Sequence, residues 1–284
     1  MIKQTVKMVF ESLTHLIGRL TGRYYFEDFI RVYPDKVAFN RFGKQREYSR
    51  NDYNNFLNHC KFYQFCGQFV KDKAVADIGC GSGYGCELLA NSGAAKVCGC
   101  DVSHHALEYA KKHFGNRVEF SNQSITDLKQ YADDSFDVVI SSEVLEHIKE
   151  YNLEAAAVAE MTRITRPGGL VIVGTPNSEL LDDHGFSYQE MKELFKSGFS
   201  SVCIFENALI PFGEKRKEWE SRLKDGETGV IISQNINLKE TVLPEGIAPQ
   251  LKEGFAAGRF DFEGLSINTN ILHNTHSWIV VAKK

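Results

Sequence analysis

Val75-Ala76-Asp77-Ile78-Gly79-Cys80-Gly81-Ser82-Gly83-Tyr84-Gly85 reads as a short apolar strand that runs into a turn with glycine at alternate positions and then into a helix. The missing side chains at Gly79, Gly81 and Gly83 let the backbone approach a bound ligand closely. The first turn of the helix that follows offers N–H groups with no partner of their own. The spacing is GxGxG and not the GxGxxG of the pyrophosphate-binding fingerprint. Asp77 stands two residues before the first glycine. A carboxylate there suits a ligand carrying a positive amino group better than one carrying phosphates.

Working outward, short apolar segments near 74–78, 96–100, 117–121, 136–141 and 169–174 read as strands. Helical patterns near 83–92, 104–113 and 149–164 separate most of them. A helix near 187–197 and strands near 199–205 and 276–282 complete the set. Such alternation predicts an α/β fold, a doubly wound and mostly parallel seven-stranded sheet with ligands at the carboxyl ends of the strands. Asp101 ends the second strand, 20 residues after Gly81, where a carboxylate accepts hydrogen bonds from both ribose hydroxyls. Its structural alternative, a helix cap, is already supplied by Ser103. Cys98 and Cys100 in that strand are expected on opposite faces.

The regions outside this core divide the chain further. Residues 1–70 are expected to form a helical N-terminal cap, 71–206 the cofactor-binding core, 207–272 an insert serving as lid or interface, and 273–284 the final strand of the core sheet. Ile2, Val6, Val9, Leu13, Leu16 and Leu20 form one apolar helical stripe, suited to packing on the body of the protein or on a second subunit. Fourteen of the chain's 33 Phe, Tyr and Trp residues lie between Tyr24 and Phe69, most of them expected in the core and a minority lining an acceptor pocket. Ser49 and Asp52 have the spacing of a capping box ahead of a helix carrying Phe56, Leu57, Cys60 and Tyr63.

The segments Asp77-Ile78-Gly79-Cys80-Gly81-Ser82-Gly83, Gly99-Cys100-Asp101-Val102-Ser103, Ser135-Phe136-Asp137-Val138-Val139 and Arg166-Pro167-Gly168-Gly169-Leu170 resemble, in order and spacing, successive motifs of the class I S-adenosylmethionine-dependent methyltransferases. The resemblance covers roughly residues 70–205 and implies S-adenosyl-L-methionine as cofactor. It implies that Asp77 and Gly79 hold the methionine end, directly or through water, and that Asp101 binds ribose with Val102 against the adenine. Ser124 and Ile125 fall where the family contacts adenine, although many members carry Asp in place of Ser124. Ser141 is placed to offer its carbonyl to the cofactor amine.

Methyl transfer from a sulfonium is an in-line displacement, so the protein must mainly orient the acceptor and, for a hydroxyl, help remove its proton. Glu143-Val144-Leu145-Glu146-His147 follows the fourth strand, and its spacing would put Glu143, Glu146 and His147 on one helical face. Two readings stay open. In one, His147, Glu143 or His184 is a general base or a positioning residue. In the other, Glu143, Glu146, His147 and His184 hold a divalent metal such as Mg²⁺, as the resemblance to small-RNA 2′-O-methyltransferases suggests. The EVLEH element is also shared with ubiquinone-biosynthesis O-methyltransferases.

The formal charge of −4 gives no general attraction to a polyanion, so nucleic acid is not an expected partner. The basic trio Lys215-Arg216-Lys217 in the insert reads as a solvated face, or as an attractor for an acceptor phosphate or carboxylate. Seven cysteines without a CxxC pair fit free thiols in a reducing cytoplasm, and no apolar run approaches the ~20 residues of a membrane span. The leading expectation is O-methylation of a small-molecule or glycan-type hydroxyl, with a homodimer through the N-terminal helix or the insert as an assembly. N-methylation of a small amine and a non-catalytic cofactor-binding regulator are the rivals. A nicotinamide oxidoreductase is disfavoured by the GxGxG spacing and by Asp77.

Overall fold

The computed structural model describes residues 31, 33–34, 38–39, 45–178, 185–209, 261–262, 265–268 and 275–284. The N-terminal helical stripe, His184 and the basic trio lie outside the described residues. Before the core, β1 (Ala38–Phe39) and β2 (Gln45–Arg46) form an antiparallel pair, followed by α1 (Arg50–Cys66). The Ser49 side chain accepts from the Asp52 N–H while Asp52 accepts from the Ser49 N–H, so both halves of the capping box are present. A two-pronged Arg46 contact at 2.6 Å on each oxygen holds the Asp52 carboxyl well below the usual range.

The core follows as β3 (Ala74–Ile78), α2 (Tyr84–Asn91), β4 (Lys96–Asp101), α3 (His104–Phe114), β5 (Glu119–Asn122), β6 (Phe136–Ser142), α4 (Leu145–Lys149), α5 (Glu154–Ile164), β7 (Thr165–Pro176), α6 (Tyr188–Leu194) and β8 (Ser201–Leu209). Two short strands, β9 (Asp261–Phe262) and β10 (Leu265–Asn268), precede β11 (Thr275–Lys283). The sheet order is β5-β4-β3-β6-β7-β11-β8-β10-β9. β5, β4, β3, β6 and β7 are parallel, whereas β11 runs antiparallel to both β7 and β8. All seven expected strands are present, and β10 and β9 extend the sheet to nine. That extension has a physical reason, since β8 would otherwise be an open edge with unpaired N–H and C=O groups.

Burial on both faces explains why the strands read as continuous apolar runs. Val75, Val97 and Val138 face Phe62 and Phe65 of α1, Cys86 and Leu89 of α2 and Leu107 of α3. Ala76, Ile78 and Val139 face Leu145 of α4, Ala157, Met161 and Ile164 of α5 and Met191 of α6. Cys98 and Cys100 both belong to this second layer, against the expectation of opposite faces, because residues two apart on a strand point the same way. The single helix expected over 149–164 is broken between α4 and α5, where Asn152 takes a left-handed φ of +54°. All seven cysteines are free thiols, and no described helix is long and apolar enough to cross a membrane.

The chain runs outward from β3 through β4 to β5 and then returns to β6 on the other side of β3. This reversal opens a crevice at the carboxyl ends of β3, β4 and β6, where a ligand can lie. On the far side, Trp278 of β11 is fully buried, its Nε1–H donates to the Phe186 carbonyl at 2.9 Å, and its ring meets Tyr188 edge-on. Replacing it by Phe removes that donor and leaves a void. Trp278→Phe is expected to lower the unfolding free energy by about 1–3 kcal/mol in urea titrations, with the transition still cooperative.

Candidate functional site

The glycine turn is docked onto the end of β4 by its own backbone. The N–H groups of Gly79 and Cys80 both donate to the Cys100 carbonyl, at 2.8 and 2.9 Å. The Gly81 N–H donates to Asp101 Oδ2 at 2.9 Å, and the Ser103 N–H donates to Oδ1 at 2.8 Å. The Asp101 carboxylate is therefore held against the turn, 5% exposed, at the strand end where the sequence places it. From β5 the Asn122 side-chain amide donates to the carbonyls of Asp101 and Val102, at 2.9 and 3.0 Å. Asn122 was not singled out by the sequence, because no spacing rule ties it to residue 101.

The glycines of the turn are needed for different reasons. A Cβ on Gly79 would stand 2.4 Å from Val144 Cγ2, so that position is closed by the protein itself. A Cβ on Gly81 would meet only the aliphatic stem of Arg31, at 3.9 Å. Gly81 has a φ of +51°, and its open face is the one turned toward the crevice side occupied by Arg31 and Asp101.

Asp77 lies beneath the turn and is fully buried. The Tyr63 hydroxyl of α1 lies 3.1 Å from each of its oxygens, and Cys86 Sγ donates to Oδ2 at 3.2 Å. Burial pushes the carboxyl up to about 7 in spite of these donors. The Tyr63 ring also fills the space a Cβ on Gly85 would need, 2.1 Å from its Cζ. The sequence places Tyr63 on the capped helix without a partner; its link to residue 77 exists only once α1 packs on α2.

The remaining cofactor-side candidates lie at or just beyond the carboxyl ends of β4, β5 and β6. Ser141 Oγ donates to the Ile78 carbonyl at 2.9 Å and is itself buried. Ser124 closes a small turn through Thr126, with the hydroxyl oxygens 2.9 Å apart and the Thr126 N–H donating to Ser124 Oγ at 3.3 Å. The Ile125 side chain is in the core, and Val102 is half-buried.

On the acceptor side the helical-face expectation changes. Glu143 precedes α4 and adopts a left-handed φ of +54°, so helical spacing does not position it. Glu146 points inward with its side chain 1% exposed, whereas His147 is 35% exposed, with Nε2 3.8 Å from Glu146 Oε1. Glu146 Oε2 accepts from the Thr175 hydroxyl at 3.0 Å. Burial pushes Glu143 up to about 7, and burial together with the Glu143 charge pushes Glu146 well above the carboxylate range. The Tyr84 hydroxyl, in the first turn of α2, is hydrogen-bonded to His59 Nδ1 of α1, and burial pushes it well above the usual phenol range. Among the described residues no group of three or more His, Cys, Asp or Glu side chains is arranged to hold a metal ion. Lys149 Nζ donates to the Gly185 carbonyl at 2.8 Å, so the residue next to His184 lies beside α4.

The raised Asp77 carboxyl has a thermodynamic consequence. A carboxyl with a higher pKa folded than unfolded contributes stability that is present below about pH 4 and is lost as pH rises through about 7. Asp77→Asn, which keeps an acceptor for Tyr63 and Cys86, should therefore gain stability relative to the parent across that interval and run parallel to it above. Parallel unfolding curves from pH 4 to pH 8 would show that Asp77 does not titrate in this range.

Residues 76–173 match the family described as Methyltransferase domain. A ubiquinone biosynthesis O-methyltransferase of Mesorhizobium japonicum is 37% identical over 108 residues, covering 37% of this chain and 42% of that protein. One of the same name from Brucella anthropi is 39% identical over 129 residues, covering 41% of this chain and 50% of that protein. The chain thus spans half or less of the length of these curated relatives. In fold it is similar to a SAM-dependent methyltransferase from Archaeoglobus fulgidus, with a TM-score of 0.51 at 17% identity, over 81% of this chain and 94% of that one. The glycine turn, the Asp101 carboxylate and the strands β3, β4, β5 and β6 all fall within or next to the segment 76–173, which belongs to the family described as Methyltransferase domain.

Proposed function

We propose that this protein transfers a methyl group from S-adenosyl-L-methionine to a hydroxyl of a small molecule. The observation that carries the reading is the Asp101 carboxylate, fixed by the Gly81 and Ser103 N–H groups beside the open face of Gly81. A ribose diol donating to Asp101 puts the adenine toward Val102 and Ser124 and the amino-acid end over the turn toward Ser141. Asp77 acts from below, holding Tyr63 and Cys86 against the turn, and its negative form favours a cationic amine above it. The bound cofactor supplies an electrophilic methyl on a sulfonium. The protein then has to exclude water, aim the acceptor along the line of displacement and accept its proton.

For the proton, Glu143 is the group the geometry favours. It sits in the turn that ends β6, next to Val144, which packs on Gly79, and its carboxyl is raised to about 7, close to the pH at which it must accept. Hydroxyl acceptors are supported by the O-methyltransferase names of the relatives that share this part of the chain. A small-molecule or sugar-type acceptor fits the absence of any excess positive charge.

Calorimetry is expected to show micromolar binding of S-adenosylmethionine by the parent protein and none by Asp101→Ala; undiminished binding in the variant would remove Asp101 from the cofactor site. With an acceptor found by screening hydroxylated metabolites for methyl uptake, Glu143→Gln should lower kcat about 100-fold or more while leaving cofactor affinity as it was. An unaltered kcat would take the base role away from Glu143.

A further inference from the structure

The carboxylate that the proposed function assigns to ribose is already in use. Arg31 crosses the glycine turn, with its Cγ and Cδ 3.9 and 4.0 Å from where a Cβ on Gly81 would stand. Its Nη2 donates to Asp101 Oδ1 at 2.8 Å, in an ion pair whose side chains are 11% and 5% exposed. This is not a surface side chain resting by chance on an acid. Two residues further on, Tyr33 is 1% exposed, and its ring packs edge-on against Tyr109 with centroids 4.9 Å apart. Its hydroxyl meets His105 Nδ1 at 3.5 Å, and both partners belong to α3, the helix that starts beside Asp101. The buried tyrosine thus tethers Arg31 over the nucleoside end of the crevice.

Acceptor capacity makes the consequence definite. An ionised carboxylate offers about four acceptor positions. The Gly81 N–H takes one on Oδ2 and the Ser103 N–H takes one on Oδ1, and both are part of the docked turn. Arg31 takes a second on Oδ1, which leaves a single position. A vicinal diol that donates from both hydroxyls needs two. Arg31 and a ribose diol therefore cannot both be fully bonded to Asp101, and the stem of Arg31 lies over the one glycine whose open face the nucleoside would approach.

We propose that Arg31 is a built-in competitor for the ribose site: tethered through Tyr33, it closes the nucleoside end of the crevice on Asp101 and must swing away for an adenosine-containing ligand to bind. The inference rests on the cofactor reading above, since it supposes that Asp101 receives a ribose. It assigns Arg31, a residue far from the glycine motif in sequence, a part in setting cofactor affinity.

The test is calorimetric binding of S-adenosylmethionine and S-adenosylhomocysteine to the full chain, as the parent, Arg31→Ala and Arg31→Lys, each checked for an unchanged melting profile. Arg31→Ala should bind both ligands about fivefold more tightly or better, since the ribose diol no longer has to displace a charge-assisted hydrogen bond. Arg31→Lys, which keeps the charge but loses the planar fork, should gain less. A second pair of probes isolates the diol. The gain in Arg31→Ala should appear with 5′-methylthioadenosine and shrink with its 2′-deoxy form, which needs only the position that Arg31 leaves open. Equal or weaker binding by Arg31→Ala, with the parent still binding, overturns the competitor role and leaves the cofactor reading intact. Binding by neither parent nor variant overturns the cofactor reading and the competitor with it.

Discussion

The site depends on one contact, the docking of the glycine turn onto the end of β4. Two N–H groups of the turn share the Cys100 carbonyl, and a third reaches the Asp101 carboxylate. These bonds satisfy backbone donors that would otherwise be stranded at the top of the sheet. They also orient the Asp101 carboxylate at the end of β4. Without them the strand end would carry a carboxylate in no particular direction, and the turn would have no fixed height above it. The parallel sheet supplies the rest of the frame, because β3, β4 and β6 all end at the same level.

Burial sorts the acids of this region into different roles. Asp101 stays at the rim, bonded to two backbone N–H groups. Asp77, four residues before Gly81, is sealed under the turn by Tyr63 and Cys86 and is pushed up to about 7. Glu143 is raised to the same region by burial alone, and Glu146 further by burial and by the charge of Glu143. A carboxyl held near neutrality changes its charge where solution chemistry usually takes place. The two aspartates differ in their partners: Tyr63 of α1 covers Asp77, whereas Asp101 is paired with the Arg31 guanidinium.

Much of this was legible beforehand, and the reasons are local. Strand β3 was recognisable end to end because a strand buried on both faces reads as an unbroken apolar run closed by glycine. The capping box at Ser49 and Asp52 and the Ser103 cap were legible because capping is a contact between residues three apart. The face assignment of Cys98 and Cys100 failed against the two-residue period of a strand. The acceptor-side face failed because Glu143 sits in a left-handed turn, which no helical spacing describes.

The linear order of residues by itself determined the layered α/β architecture, the glycine turn and the two aspartates that flank it, since hydrophobic period and turn chemistry act between near neighbours. Only the tertiary structure decided what those aspartates touch. Tyr63 reaches Asp77 from 14 residues away and Arg31 reaches Asp101 from 70. Side-chain partnership across such separations is set by how helices and loops pack on the sheet. That packing leaves no periodic trace in a single chain.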